Sequence, residues 1–196
     1  HVFVNDAFGS SHRVHASVAG VTAFMENSVS GFLLEKEITY LSDSVNDPKR
    51  PFVAILGGAK VSDKISVIQR LLTKVDTIII GGGMAYTFLA TKGYSVGNSL
   101  LEEDKIPMAK ALMDQALEAG VNLILPVDLV IADDFSNDAN RKVVTADGIL
   151  DNWESLDIGP ETITLFSGAI TQAKMVLWNG PMGVFEMPNF AVGTQS

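Results

Sequence analysis

The sequence predicts an α/β fold: a three-layer arrangement with a mostly parallel sheet and helices on both faces. Three observations predict it. Short apolar runs recur at Phe52–Leu56, Asp76–Ile80, Val121–Leu125 and Met175–Trp178. Between them lie amphipathic stretches of helical period. Three of the runs end in glycine, at Gly57-Gly58, Gly81-Gly82-Gly83 and Gly180-x-x-Gly183. Ligands of such sheets bind outside the carboxyl ends of the strands, so those turns are the candidate site.

Composition narrows the classes. The 196 residues are 47% apolar and 19% charged, which supports a sizeable core. The net charge of -9 argues against a nucleic-acid partner, which needs a basic face. There is no cysteine, which removes disulfides, thiolate catalysis and Cys-based zinc sites. The longest uncharged run, Thr77–Thr91, falls short of the roughly 20 residues of a membrane helix. A cytoplasmic monomer with no membrane partner is expected. His1 leads straight into a strand pattern, and Phe190–Ser196 reads as the opening of a helix, so a piece of a longer protein is expected.

In chain order, Val2–Val4 reads as a strand and Asn5–Ser11 as a turn. His12, Arg13 and His15 follow on a predicted short helix. Two histidines and an arginine either hold an anion or pack; three apart, the histidines make a weak metal pair. Leu33, Leu34, Ile38, Leu41 and Val45 predict a helix over 31–46, which Pro48 and Pro51 end. The helix after Phe52–Leu56 is expected from about Val61. Met84 to about Thr91 reads as helix, as does Glu103 to about Ala119, with Glu102, Glu103 and Asp104 suiting its dipole. Gly120 stops it. A short strand is expected at 127–132, then a polar excursion over 133–151 with one hairpin around Lys142–Val144. Asp157-Ile158-Gly159-Pro160 opens a helix to about Gln172, and Met175–Trp178 is a fourth buried strand.

The stretch from Phe52 to Ile65 carries the chemistry. A strand, a glycine turn and a helix point free backbone amides and a dipole at an anion. Lys60 and Lys64, four apart, are expected on one helical face, which suits a polyphosphate. The alternative is an ordinary turn with two solvated lysines. No Walker A motif is present, since Val61 follows Lys60. A G-x-G-x-x-G search fails at Tyr86, which counts against a nicotinamide dehydrogenase.

Several blocks, taken together and in order, resemble the phosphoglycerate kinase family. They are Val4-Asn5-Asp6-Ala7-Phe8-Gly9, His12-Arg13, Gly57 to Lys64, Gly81 to Tyr86, Leu125-Pro126-Val127-Asp128, Asp157-Ile158-Gly159-Pro160 and Trp178 to Glu186. The resemblance implies a Rossmann-like nucleotide domain of a two-domain kinase, here incomplete. Residues 1–30 would end the glycerate-binding domain, 31–50 form the interdomain helix and hinge, and 51–196 form most of the nucleotide domain. The implied reaction passes a phosphoryl group from 1,3-bisphosphoglycerate to ADP, giving 3-phosphoglycerate and ATP, with Mg2+ on the nucleotide.

The implied roles fall on particular residues. Lys60 matches the lysine that follows the transferred phosphoryl group. Lys64 and Asn179 match groups on the nucleotide phosphates, and Glu186 the carboxylate on the ribose. Gly57, Gly58, Ala59, Gly81, Gly82, Leu156, Pro181, Gly183 and Val184 match the nucleotide pocket. Arg13 matches one arginine of the glycerate patch, with His12 beside it. Ser155 stands where the family often has glycine. The family's Gly-Gly-Gly-Asp block, whose aspartate contacts the metal, appears nowhere in this sequence, so no metal ligand is assigned. Little or no turnover is expected from these residues alone. The alternative is a non-catalytic nucleotide-binding fragment.

Overall fold

The computed structural model describes the backbone of residues 1–196 and every side chain except those of Asp43 and Ser44. The chain divides into two compact units, His1–Pro48 and Lys49–Ser196.

In the first unit, β1 (Val2–Asn5) pairs in parallel with β2 (Asn27–Ser30), a strand that the sequence pattern did not reveal. The segment from His12 to His15, expected to be helical, is turn, bend and irregular chain after a 3-10 turn at Phe8–Ser10. Helix α1 (Phe32–Ile38) passes through a π-helical stretch, Thr39–Asp43, into α2 (Ser44–Asn46). Asp6 Oδ1 accepts the Leu34 amide at 2.8 Å in the first turn of α1, satisfying one of the donors that a helix start leaves unpaired. None of the described residues of this unit is fully buried.

The second unit is built on a parallel sheet. Strand β3 (Phe52–Leu56) has no exposed residue, because it lies between two neighbours with both faces covered. Helix α3 (Ile65–Leu71) leads to β4 (Thr77–Ile80), and α4 (Met84–Ala90) follows it. Helix α5 (Ile106–Glu118) tolerates Pro107 in its first turn, where no helical donor is lost. It leads to β5 (Asn122–Ile124). Strand β6 (Asp128–Ala132) pairs antiparallel with β7 (Arg141–Thr145), the expected hairpin, and with β8 (Glu154–Ile158). Helix α6 (Pro160–Thr171), β9 (Met175–Asn179) and α7 (Val192–Gln195) complete the chain. The parallel sheet runs β5-β4-β3-β9 and the antiparallel one β7-β6-β8.

Register sets the layers. Ile55 lies opposite Ile79, and both join Val53 on one face. Phe166 of α6 packs there, with Ile163 and Ile170 at the margin. The opposite face, Phe52, Ala54, Leu56, Ile78 and Ile80, is wholly buried. The fold is therefore α/β, with a mostly parallel sheet covered on both sides.

Three expectations are corrected. The helix after β3 begins at Ile65 rather than Val61, because Gly57–Lys64 is held as a loop of bends and turns by contacts described below. Asp157 and Ile158, expected to open a helix, end strand β8; α6 starts only at Pro160, where the fixed proline φ suits a first helical residue. Strand β9 is an edge rather than a buried strand: β3 is its one partner among the described residues, and Trp178 is 52% exposed.

Candidate functional site

The carboxyl ends of β3, β4 and β9 meet, and their glycine turns are stitched together backbone to backbone. The Gly57 amide donates to Asn179 O at 3.0 Å, Gly58 to Pro181 O at 3.2 Å and Gly82 to Met182 O at 3.1 Å. Such close approach leaves no room for side chains. A Cβ on Gly82, whose φ is +66°, would sit 2.7 Å from Gly58 N. One on Gly180, at φ +95°, would sit 2.4 Å from Gly57 O.

This stitching corrects one expectation. The amides of Gly57, Gly58, Gly81 and Gly82 are spent on carbonyls of neighbouring strand ends and turns and are not free for an anion. Lys60 and Lys64 do not share a helical face either, since both precede α3. The cationic side chains remain. Lys60 is exposed on the loop, and the Lys64 ammonium donates to Asn179 Oδ1 at the end of β9. Two residues singled out from distant stretches are thereby brought into direct contact.

Beside the stitched turns lies a cavity of about 280 Å³, near the low end of small-molecule sites. Gly58, Ala59, Gly82, Leu156, Pro181, Gly183, Val184 and Glu186 line it. Gly57 and Gly81 are not on its wall. They are glycine because Pro181 O and Met182 Sδ stand 2.0 and 2.4 Å from where a Cβ would be. Lys60, Lys64 and Asn179 also lie off the wall.

The sequence reading did not assign Gly83, Tyr86, Leu100, Phe135 or Glu154 to the pocket and noted Ser155 only as standing where the family often has glycine; all six line the cavity. Glu154 escapes the pattern because polar residues at Glu154, Ser155 and Asp157 hide the strand character of β8. Burial, with the Asp134 charge second, pushes the Glu154 carboxyl up. Burial raises the Tyr86 phenol strongly, and its OH donates to Ser155 O at 2.8 Å.

Two carboxylates shape the site from outside the cavity. Glu102, just before α5, takes the Ser62 hydroxyl at 2.6 Å and the Ser62 amide at 3.0 Å. Burial pushes its carboxyl up, but hydrogen bonds from Ser62 and Val61, with the Lys60 charge, outweigh that and hold it below the usual range. Asp157, 1% exposed, accepts the Gly193 amide at 2.8 Å and the Ile158 amide at 2.9 Å. Burial raises its carboxyl to about 6, against those two bonds.

His12 and Arg13 are exposed in the first unit. Among the described residues, no cluster of three His, Cys, Asp or Glu side chains could hold a metal ion. The donor set suits an anion, since Lys60, Lys64 and Asn179 all offer N–H groups. The glycine-walled cavity suits a flat ring. A magnesium ion would be carried chiefly by phosphate oxygens, its usual mode.

Fold and site together define an α/β protein with a glycine-walled cavity and a cationic rim at the carboxyl ends of parallel strands. The phosphoglycerate kinase family model matches residues 1–196. The chain is 54% identical to a phosphoglycerate kinase of Chloroherpeton thalassium over 195 residues, covering 100% of this chain and 49% of that protein. It is 57% identical to one from Clostridium botulinum over 193 residues, covering 98% and 48%. A solved phosphoglycerate kinase from Coxiella burnetii superposes with a TM-score of 0.92 at 43% identity, covering 99% of this chain and 50% of that one. This chain belongs to the phosphoglycerate kinase family. It spans about half the length of the curated relatives it matches.

Proposed function

We propose that this chain supplies the nucleotide half of a phosphotransferase that passes a phosphoryl group from 1,3-bisphosphoglycerate to ADP, giving 3-phosphoglycerate and ATP. The observation that carries the reading is the adjacency of an apolar, glycine-walled cavity to the Lys64–Asn179 pair on the same set of strand ends. The cavity takes the base, Glu186 the ribose hydroxyls, and Lys64 with Asn179 the phosphate chain. Gly57 and Gly81 act from behind the wall, by letting the turns close.

Lys60 has a separate role. Phosphoryl transfer leaves little covalent work for the protein, so an ammonium group aimed at the spreading oxyanion charge is what the step needs. Lys60 is exposed, and the long four-carbon stem of a lysine lets its ammonium follow the group as it moves. Arg13, with His12 beside it, belongs to the glycerate side. Mg2+ would be held chiefly by the phosphate oxygens of ADP or ATP and would neutralise part of their charge there, beside Lys60 and Lys64. The proposed setting is a cytoplasmic, monomeric glycolytic enzyme; among the described residues no helix is long and apolar enough to cross a membrane.

Calorimetric titration of the chain with ADP, with and without magnesium, tests the site. Binding near 1:1 is expected, and no binding overturns the reading. In the full-length protein, Lys60→Ala should reduce kcat far more than it weakens ADP binding. Because the chain spans half of its relatives, a second reading stands beside the first: these 196 residues alone bind nucleotide without transferring phosphate. ATP formation from 1,3-bisphosphoglycerate by the chain alone would overturn that one.

A further inference from the structure

We propose that Ser155 reads the base: its hydroxyl hydrogen-bonds the heteroatom edge of a purine seated in the glycine-walled cavity, adding base selectivity to an otherwise apolar slot. The inference rests on the nucleotide reading above.

Ser155 Oγ is the one buried side-chain polar atom among the described residues with no hydrogen-bond partner. Folding normally avoids this, since a buried hydroxyl without a partner loses its water hydrogen bonds and gains none in return. The omission is not a matter of loose placement, because the Ser155 backbone is held on both sides. Its amide donates to Ser99 Oγ at 2.9 Å, and its carbonyl accepts the Tyr86 hydroxyl at 2.8 Å. The residue is fixed while its hydroxyl is left free.

The strand is also distorted at this position. Val130 pairs with Asp157 but Ile131 pairs with Ser155, so Leu156 is an extra residue in the ladder. In a regular strand adjacent residues face opposite ways, whereas a bulge re-aims them. Ser155 and Leu156, though adjacent, both line the cavity. One supplies an apolar wall; the other carries a buried hydroxyl that can donate and accept. Turning that hydroxyl about χ1 toward a ligand breaks no existing hydrogen bond.

The test compares ADP with ribose 5-diphosphate, which keeps the phosphates and sugar but lacks the base. Each is titrated into the chain and into Ser155→Ala. The expected result is a loss of roughly 3- to 10-fold in ADP affinity, with ribose 5-diphosphate unchanged. Equal ADP affinity in both proteins overturns the proposal. So does an equal loss for both ligands, which would mark a structural role. Without ligand, Ser155→Ala should be at least as thermally stable as the parent, because the hydroxyl holds nothing. A destabilised or unfolded variant shows that it does, and overturns the proposal. If the parent chain itself fails to bind ADP, the site reading falls and takes this proposal with it, which separates that failure from the others.

Discussion

Glu102 grips Ser62 with both carboxylate oxygens, one on the hydroxyl at 2.6 Å and one on the amide at 3.0 Å. That grip crosses 40 residues of sequence and holds the lysine loop out of helix α3. Glu102→Ala should therefore lower stability by about 1–3 kcal/mol, the usual cost of stranding donors from a charged partner. It should also weaken ADP binding several-fold, because Lys60 and Lys64 lose their fixed approach. Denaturant melts and ADP titration of the same variant check both effects. The carboxyl lies below its ordinary range, so its stabilising contribution is present above the unfolded value and is lost as pH falls through the folded one.

Asp157 has the opposite sign. Its carboxyl rises from the ordinary 3.8 to about 6 in the folded chain. The folded state then holds a proton that the unfolded state releases, so the stability it confers is full below about pH 4 and is lost by about pH 6. Two units correspond to on the order of 2–3 kcal/mol. The stability difference between the parent and Asp157→Asn should move by that order across the window. Urea melts at pH 4 and pH 7 measure it, and an equal difference at both would refute the assignment.

Gly82→Ala should damage both the fold and the site. The new Cβ meets Gly58 N at 2.7 Å, and the backbone sits at φ +66°. A cost above about 2 kcal/mol is expected from a clash and strain together. Loss of ADP binding should accompany it, since the same two glycines line the cavity. Thermal melting and ADP titration read out the pair.

Asp128 docks helix α6 onto the antiparallel sheet. Its carboxylate accepts the Thr162 amide and hydroxyl, each at 2.7 Å, and the Glu161 amide at 3.0 Å. The residue is 3% exposed, and the Gly159 backbone lies against it. Asp128→Ala should cost about 2–4 kcal/mol through unpaired helix-start donors. ADP affinity of the folded fraction should change little, because Asp128 is not on the cavity wall. Chemical denaturation alongside titration separates the two.

Much of this was legible in the sequence. The runs Phe52–Leu56 and Thr77–Ile80 are buried strands because no polar group interrupts them, and both appear where the pattern places them. The three glycine-ended strands announce a site at one edge of a sheet, and Lys64 and Asn179 are found together there. Strands β2 and β8 were hidden. Asn27–Ser30 and Glu154–Ile158 carry polar residues at half or more of their positions, so their extended form depends on pairing with β1 and β6.

The α/β class, the family and the glycines and lysines at the strand ends can be read along the chain, because apolar period and glycine placement act locally. What those residues can do is set by packing in three dimensions. Whether a glycine amide faces a ligand or a neighbouring turn, whether Lys60 starts a helix or rides a loop, and whether the Ser155 hydroxyl finds a partner all depend on groups distant in sequence, such as Glu102, 40 positions from Ser62, and Asn179, 115 positions from Lys64. Hydrogen bonds act only over about 3 Å, and no local pattern records which distant donor arrives within it.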